Sequence, residues 1–260
     1  MDLPYITTII YAGIGGLIPA IIWLIFWHRQ DSHAPEPKHM IFLTFLGGAI
    51  AVLISLFLER QIGNCDFISY ISNSPFASVA HFIENFALEQ GINIKRLCMV
   101  ALFAPIIEEV TKFIMTYAIS LKTKYADENI DMVVYMITGA LGFAFLENVF
   151  FLIDPVTKQN TVFAILTIDV RFIGATLLHA TASAIMGMSM AFSLFKGRIS
   201  RTLSKIIGII LAIVLHSFFN LYIIMDKGNQ AITALIGMWL VVIVLLFLFE
   251  RIKKVKLNKI

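Results

Sequence analysis

The sequence predicts an all-α protein, a polytopic membrane helix bundle of about seven transmembrane helices. Of its 260 residues, 59% are hydrophobic and only 14% are charged, and the mean hydropathy is +0.86. Soluble domains carry more charge and less apolar content. Apolar runs of about twenty residues, long enough to cross a hydrocarbon core, recur along the chain. The net charge of +3 is too small to indicate a nucleic-acid partner, so the composition predicts the lipid bilayer as the surroundings of the chain.

Hydropathy predicts seven spans, with connections too short for a soluble domain, so residues 1–260 are expected to form a single integral membrane domain. The N-terminal apolar run has no basic segment before it and is longer than the hydrophobic part of a cleavable signal peptide, so it is interpreted as the first span. The predicted spans are 3–27, 39–58, 97–120, 130–153, 171–195, 205–225 and 231–249.

The Lys and Arg residues in the connections predict the orientation, because positively charged loops stay in the cytoplasm. With the N-terminus outside and the C-terminus cytoplasmic, thirteen Lys and Arg residues fall on the inner side and six on the outer side, and one lies within a span. The inner excess comes mainly from the "KGRISRTLSK" loop, residues 196–205, and from the C-terminal tail.

Two apolar segments do not fit a simple span. The outer connection 61–96 contains "SPFASVAHFIENFALEQGI", whose spacing predicts an amphipathic helix on the membrane surface. Residues 161–170 are too short to cross and are interpreted as an outer interfacial or re-entrant piece. Cys65 and Cys98 both fall on the outer side, where a disulfide is chemically possible. Two cysteines without a wider framework are more often small hydrophobic residues, and no bridge is expected.

Polar side chains within the spans are the functional candidates, because an ionisable residue in a membrane helix usually faces the bundle interior or a cavity. At about 1.5 Å per residue, Glu108 lies roughly 16 Å from the outer end of its span, and Glu147, His179 and His216 lie roughly 9 to 13 Å from theirs. Similar depths on four helices predict one shared site. The candidates in chain order are Glu108, Glu109, Lys112, Glu147, Asn148, His179, His216 and Asn220.

Carboxylates, imidazoles and an amide together suit the activation of a water molecule for peptide hydrolysis. In this interpretation no cofactor is needed, and Glu108 is the general base with Glu109 supporting it or exchanging roles. The site's remaining members have other predicted roles. Glu147 and His179 position the water or the substrate carbonyl, His216 and Asn220 stabilise the oxyanion, and Lys112 tunes the glutamates or locks its helix.

Other interpretations of the same residues stay open. Glu108, Glu147, His179 and His216 could bind zinc, with the metal activating the water, although the chain has no H-E-x-x-H motif. One glutamate could form a structural ion pair with Lys112. Intramembrane Glu, His and Lys residues also form proton relays in transporters, but no paired repeats with broken helices are evident.

The chain resembles the PrsW family of intramembrane proteases in an ordered set of motifs between about residues 31 and 220. The motifs are "DSHAPEPKHM" (31–40), "EEVTK" (108–112), "FAFLEN" (143–148), Arg171 with His179, Ser183 and Gly187, and "HSFFN" (216–220). The resemblance implies a catalytic core at about 97–225, with Phe143, Asn148 and Arg171 in supporting positions. It also implies a multi-pass protein of the bacterial cell membrane.

The resemblance further implies membership of the superfamily of CAAX prenyl endopeptidases and bacteriocin-processing enzymes. The motifs of those relatives are E-E-x-x-x-R, F-x-x-x-H and H-x-x-x-N. Here Lys112 stands one residue before the position of the arginine, and Glu147 replaces the histidine of the second motif, so His179 is expected to supply that imidazole. These departures argue against prenylated substrates. The implied substrate is a single-pass, membrane-anchored anti-sigma factor, cut on its extracytoplasmic side.

Overall fold

A computed structural model of the chain describes residues 5–29, 36–63, 69, 72–75, 77–158, 161–225 and 230–253. These residues contain no β-strand, so the predicted all-α class is confirmed. Two π-helical turns of the described part, Met99–Phe103 and Arg171–Ala175, join helices without ending them, and a third, Tyr117–Leu121, ends its helical run. The helices are α1 (Tyr5–His28), α2 (Lys38–Gly63), α3 (Ala77–Gln90), α4 (Ile94–Cys98), α5 (Ala104–Thr116), α6 (Asn129–Thr157), α7 (Thr161–Val170), α8 (Thr176–Ala191), α9 (Arg198–Met225) and α10 (Gln230–Lys253).

Six helices of the described part are long and apolar enough to cross a membrane, which confirms a multi-pass architecture. The predicted third span, 97–120, is helical from α4 through α5 to the π-turn after it. It is not among the six, and it carries three charged residues within its apolar sequence. The number seven and the orientation of the termini therefore stay predictions. The six are Ile6–His28, Lys38–Gly63, Asn129–Thr157, Val162–Ala191, Arg198–Met225 and Leu235–Ile252.

The prediction of a separate piece at residues 161–170 is wrong. α7 continues through the π-turn Arg171–Ala175 into α8, so one helical run of spanning length covers Val162–Ala191. A π-turn adds a residue to the helix without ending it, and such an insertion leaves no mark in the hydropathy. The charge of Arg171 within this run is matched in the fold by Glu147.

The other irregular segment follows its prediction in part. The expected amphipathic helix is α3, and its location on the membrane surface stays a prediction. Cys98 is buried and unpaired, whereas Cys65 lies outside the described residues, so the expected absence of a bridge is not tested. α9 begins at Arg198 rather than at residue 205, because the basic segment before the apolar run is itself helical.

α6 is the central helix, and small residues let its neighbours approach its backbone. A Cβ atom on Gly48 of α2 would lie 1.8 Å from the carbonyl oxygen of Gly139, and one on Gly142 would lie 1.8 Å from that of Phe45. On the other side, a Cβ on Gly187 of α8 would lie 2.6 Å from Val133 Cα. Small residues commonly permit such contact between membrane helices. This packing fixes the positions of the side chains that α6 and α8 contribute to the site.

Candidate active site

Four helices, α5, α6, α8 and α9, bring the predicted polar residues to one buried region. Glu108 is 7% exposed, Glu109 is fully buried, and His179 and His216 are each 2% exposed. α5 carries both glutamates and continues from the π-turn Met99–Phe103, with Pro105 in its first turn. Charged groups at such depth are tolerated only when they are paired or bind a ligand.

Lys112 and Glu109 form a fully buried ion pair. The Nζ atom of Lys112 donates to Oε1 of Glu109 at 2.5 Å. The same carboxylate oxygen accepts from Nδ1 of His216 at 2.7 Å. The helical spacing groups Glu108 with Lys112, yet the ion pair uses Glu109. Glu109 therefore balances Lys112 and also orients the ring of His216 through Nδ1.

The partners of His179 determine which of its nitrogens carries the proton. Lys112 Nζ lies 3.0 Å from His179 Nδ1, and an ammonium group can only donate, so Nδ1 accepts. Nε2 therefore carries the hydrogen, which it donates to Oε2 of Glu147 at 3.0 Å. Phe143 packs beside this pair, with its ring centroid 5.2 Å from that of His179 and 4.9 Å from Lys112 Nζ.

Arg171 holds Glu147 in place from the π-turn before α8. Its guanidinium donates to Glu147 Oε2 and to Asn148 Oδ1, and it stacks on the Phe151 ring with 3.9 Å between its Cζ and the ring centroid. Asn148 in turn donates to Thr176 Oγ1 at 3.0 Å. Of the predicted supporting positions, Arg171 thus holds Glu147 by a direct hydrogen bond, and Asn148 holds Arg171 and links α6 to α8.

Glu108 faces the imidazoles of His179 and His216, but its Oε2 atom forms no hydrogen bond. Glu108 Oε2 is buried without a partner, 3.9 Å from His179 Nδ1 and 3.8 Å from His216 Nε2. These three residues could hold a metal ion, with one ligand atom from each lying within 4.8 Å of the others. Two imidazoles and a carboxylate are a common donor set for catalytic zinc.

The surroundings of the three residues also fit a metal. Ligating histidines usually donate their other ring N–H to a carboxylate, which fixes the tautomer. His216 donates to Glu109 and His179 donates to Glu147. Lys112 uses the lone pair of His179 Nδ1, so binding of an ion there would displace that contact and leave the Lys112–Glu109 pair. The expectation of no cofactor is not confirmed. The zinc alternative is supported by a specific triad, Glu108, His179 and His216, which does not include the fourth candidate ligand, Glu147.

Asn220 lies one helical turn beyond His216 and is not hydrogen bonded to the triad in the structure. Its Nδ2 donates to the carbonyl oxygen of Val100 at 2.8 Å. Val100 belongs to the π-turn before α5, where carbonyl groups are shifted from the regular helical pattern. Asn220 thereby ties α9 to the start of the segment that carries the glutamates.

Glu59 is a further acidic residue near the site that was not predicted. It lies in α2, close enough for its charge to act on Glu108 and Glu147. Glu59 follows directly after the predicted span 39–58, where a charged residue is expected at the membrane interface. Only the packing of α2 on α6 brings it towards the site, and no motif in the sequence marks it.

The known proteins that are similar to this chain are described as proteases, which is the activity that the motifs imply. A family profile described as "PrsW family intramembrane metalloprotease" matches residues 36–248. The chain is 24% identical to "Protease PrsW" of Bacillus subtilis over 79% of this chain and 77% of that protein. It is 24% identical to "Protease PrsW" of Oceanobacillus iheyensis over 94% of this chain and 96% of that protein. The Clostridioides difficile "Protease PrsW" is 22% identical over 85% of this chain and 82% of its own length.

No solved structure matches the chain, so the family assignment comes from sequence comparison. The match covers most of the chain, includes all four helices of the candidate site, and agrees with the resemblance seen in the motifs. A multi-pass helical chain with relatives of this kind is a peptidase of the bacterial membrane. The chain belongs to the PrsW family of intramembrane metalloproteases.

Proposed function

We propose that this protein hydrolyses a peptide bond of a single-pass membrane protein at a divalent-metal site formed by Glu108, His179 and His216. One observation carries the proposal. The unpartnered Oε2 of Glu108 faces a nitrogen of each imidazole, while a glutamate accepts from the other nitrogen of each ring. The donor set and its outer partners therefore fit an ion such as zinc. When bound, the ion would act as a Lewis acid and lower the pKa of water.

The protein residues around the triad have separate roles in this proposal. Glu109 orients His216 and balances Lys112, and Glu147 orients His179. Arg171 fixes Glu147, and Phe143 excludes water beside the His179 ring. A buried, water-poor site strengthens each of these electrostatic interactions, which helps a site that must act on a bond as stable as an amide.

Asn220 is the proposed donor to the developing oxyanion, as expected from the sequence. Its amide donates to Val100 O in the structure, so it would have to exchange that partner for the substrate oxygen. The alternative without a metal uses Glu108 Oε2 as the base for a water molecule placed between the two imidazoles. Both versions use the same unpartnered oxygen, and they differ in their metal content.

The proposed substrate is a membrane-anchored anti-sigma factor, cleaved near its extracytoplasmic side. This part of the proposal follows from the motif resemblance and from the predicted orientation, in which the site lies in the outer half of the membrane. The cleaved segment would enter between helices, because every residue of the triad is buried.

The decisive experiment uses the full chain purified in detergent, a single-span substrate and a measurement of bound metal. We expect about one divalent ion per chain and loss of cleavage with a strong chelator, restored by zinc. Glu108→Gln is expected to lower both cleavage and metal content while the chain remains folded. Cleavage that persists in a metal-free, chelator-treated protein would contradict the metal version and support the version in which Glu108 is the base. Proton flux without cleavage would support the transporter interpretation instead.

A further inference from the structure

A cavity of about 130 Å³ lies at the end of the bundle away from the candidate active site. Its walls come from the π-turn after α5, the start of α6, the end of α8 and the start of α9. Lys205 lies eleven residues before His216, and Met190 lies eleven residues after His179. Each interval corresponds to about 16 Å along a helix. The cavity is therefore separate from the site of hydrolysis.

Two cations, Arg201 and Lys205, supply the charge of this cavity. No Asp or Glu is among the residues that line it, and no carboxylate in the described part of the chain forms an ion pair with either cation. The Lys205 ammonium lies instead 4.4 Å from the centroid of the Tyr117 ring. Both charges are thus available to an anion of the surroundings.

The helix that carries these cations adds a second preference for an anion. α9 begins at Arg198 and has no acidic residue in its first turn, although the positive end of a helix dipole favours negative charge there. Arg201, which lines the cavity, is therefore placed where a cation is unfavourable unless an anion is nearby. The N-terminal end of the helix and the two lining cations favour the same kind of ligand.

Apart from Ser193 the remaining walls are mainly apolar, and exposed apolar side chains lie on the outside of the same helix start. Leu121, Met132 and Leu194 line the cavity, and Ile199 and Leu203, on the first two turns of α9, are 86% and 55% exposed. On the side of the cavity towards the candidate active site, α8 and α9 are in close contact, since a Cβ on Gly208 would lie 3.0 Å from Ser189 Cβ. Such a cleft between two helices, charged at its mouth and apolar at its sides, suits an amphiphile.

We propose that this cavity binds the phosphate headgroup of an anionic phospholipid, with Arg201 and Lys205 as its ligands and the acyl chains lying along the exposed apolar side of α9. Basic pockets between membrane helices are known to bind such headgroups. In the predicted orientation the lipid would belong to the cytoplasmic leaflet. The proposal does not depend on the metal site or on proteolysis, so it can fail while the proposed function stands.

The test measures the thermal unfolding midpoint of the full chain in detergent with three additives. They are phosphatidylglycerol, which is anionic; phosphatidylcholine, which has the same phosphate but no net charge; and inorganic phosphate. We expect phosphatidylglycerol alone to raise the midpoint. Native mass spectrometry of the purified protein should show the same lipid bound. If inorganic phosphate gives the full shift, the site takes a soluble anion and the lipid proposal is wrong.

Charge-neutralising variants distinguish a specific binding site from a general effect of the positive charge on this side of the protein. Arg201→Gln with Lys205→Gln should weaken phosphatidylglycerol binding by at least about tenfold. Lys196→Gln with Arg198→Gln removes the same charge from residues that do not line the cavity, and should leave binding nearly unchanged. An equal loss in both pairs, or no loss in the first, would overturn the proposal.

Two further variants cover the case in which the first pair does not fold. Arg201→Lys with Lys205→Arg keeps both charges and should retain the lipid. Leu194→Trp keeps both cations but adds bulk at the cavity wall, and should reduce binding. Each variant is compared with its own midpoint in phosphatidylcholine, which separates loss of stability from loss of lipid binding. Unchanged lipid binding in Leu194→Trp would contradict the cavity as the site.

Discussion

Oε1 of Glu109 accepts a hydrogen bond from Lys112 Nζ at 2.5 Å and another from His216 Nδ1 at 2.7 Å. Oε2 is without a hydrogen-bond partner in both glutamates, but in the neighbouring Glu108 it lies 3.9 Å from His179 Nδ1 and 3.8 Å from His216 Nε2. Two adjacent residues of the same type therefore differ in their roles. Glu109 is a structural and orienting group, and Glu108 presents a free buried oxygen to the site.

The Glu109–Lys112 pair is expected to show strong thermodynamic coupling. Glu109→Gln leaves a buried ammonium without its counter-ion, and Lys112→Met leaves a buried carboxylate, so each should cost about 3–5 kcal/mol of unfolding free energy. The double variant removes both charges and should recover much of that loss. Unfolding of the two single variants and the double variant in detergent measures the coupling. Additive effects would mean that the two charges do not depend on each other.

Span depths were sufficient to predict that Glu108, Glu147, His179 and His216 come together, because depth follows from the regular rise of a helix. They were not sufficient to predict the pairing. Spacing of four residues favours Glu108 with Lys112, whereas the approach of His216 and of His179 draws Lys112 to Glu109. Those approaches depend on packing between helices, which the sequence does not display as a pattern.

The continuity of α7 with α8 could not be predicted from the sequence either. Residues 161–170 are too short to cross by themselves, and charges such as those of Asp169 and Arg171 are costly within a span. In the fold Arg171 is matched by Glu147, and the chain passes it in a π-turn. Arg171 thus fixes a member of the site, a role visible only once α6 and α8 are placed together.

Glu147→Gln is expected to weaken the site without removing a member of the triad. The variant loses the ion pair with Arg171 and weakens the acceptor for His179 Nε2. Loss of such an outer partner typically lowers metal affinity or activity by about 10–100-fold. Zinc titration and cleavage assays measure the two effects.

Asp154→Asn is the matched control for that change. Asp154 lies on the same helix and pairs with Lys158 at 2.8 Å, with both side chains 69% exposed. Its loss should leave metal affinity and activity unchanged, because exposed ion pairs contribute little. If Glu147→Gln behaves like this control, Glu147 does not orient His179 for binding.

Gly142→Ala is expected to lower stability by about 1–3 kcal/mol through overpacking. The added methyl group would lie 1.8 Å from the carbonyl oxygen of Phe45, so α2 and α6 would have to separate. Gly13→Ala is the control, since a Cβ there meets nothing within 4 Å. It should be neutral or slightly stabilising, because alanine favours a helix. Equal midpoints for the two variants would show that α2 and α6 do not need this close contact.

Glu36 is expected to make the stability of the chain depend on pH. Burial raises the pKa of Glu36, and the charges of Asp127 and Glu128 act in the same direction, while a hydrogen bond from Tyr135 opposes them. The folded state thus holds a proton that the unfolded state releases near its ordinary value of about 4.3. The stability contributed by Glu36 is fully present below that pH and is lost as the pH rises through the higher folded pKa.

Glu36→Gln tests this dependence, because glutamine keeps an acceptor for Tyr135 and cannot ionise. Asp131, which also hydrogen bonds with Glu36, remains in the variant, so part of the pH dependence of this cluster should remain as well. We expect the variant to be at least as stable as the wild type near pH 8 and to lose less stability between about pH 4 and pH 8. Thermal unfolding midpoints across that range give the comparison. A variant that follows the wild-type profile throughout would show that Glu36 is ionised to the same degree in both states, contrary to the effect expected from its burial.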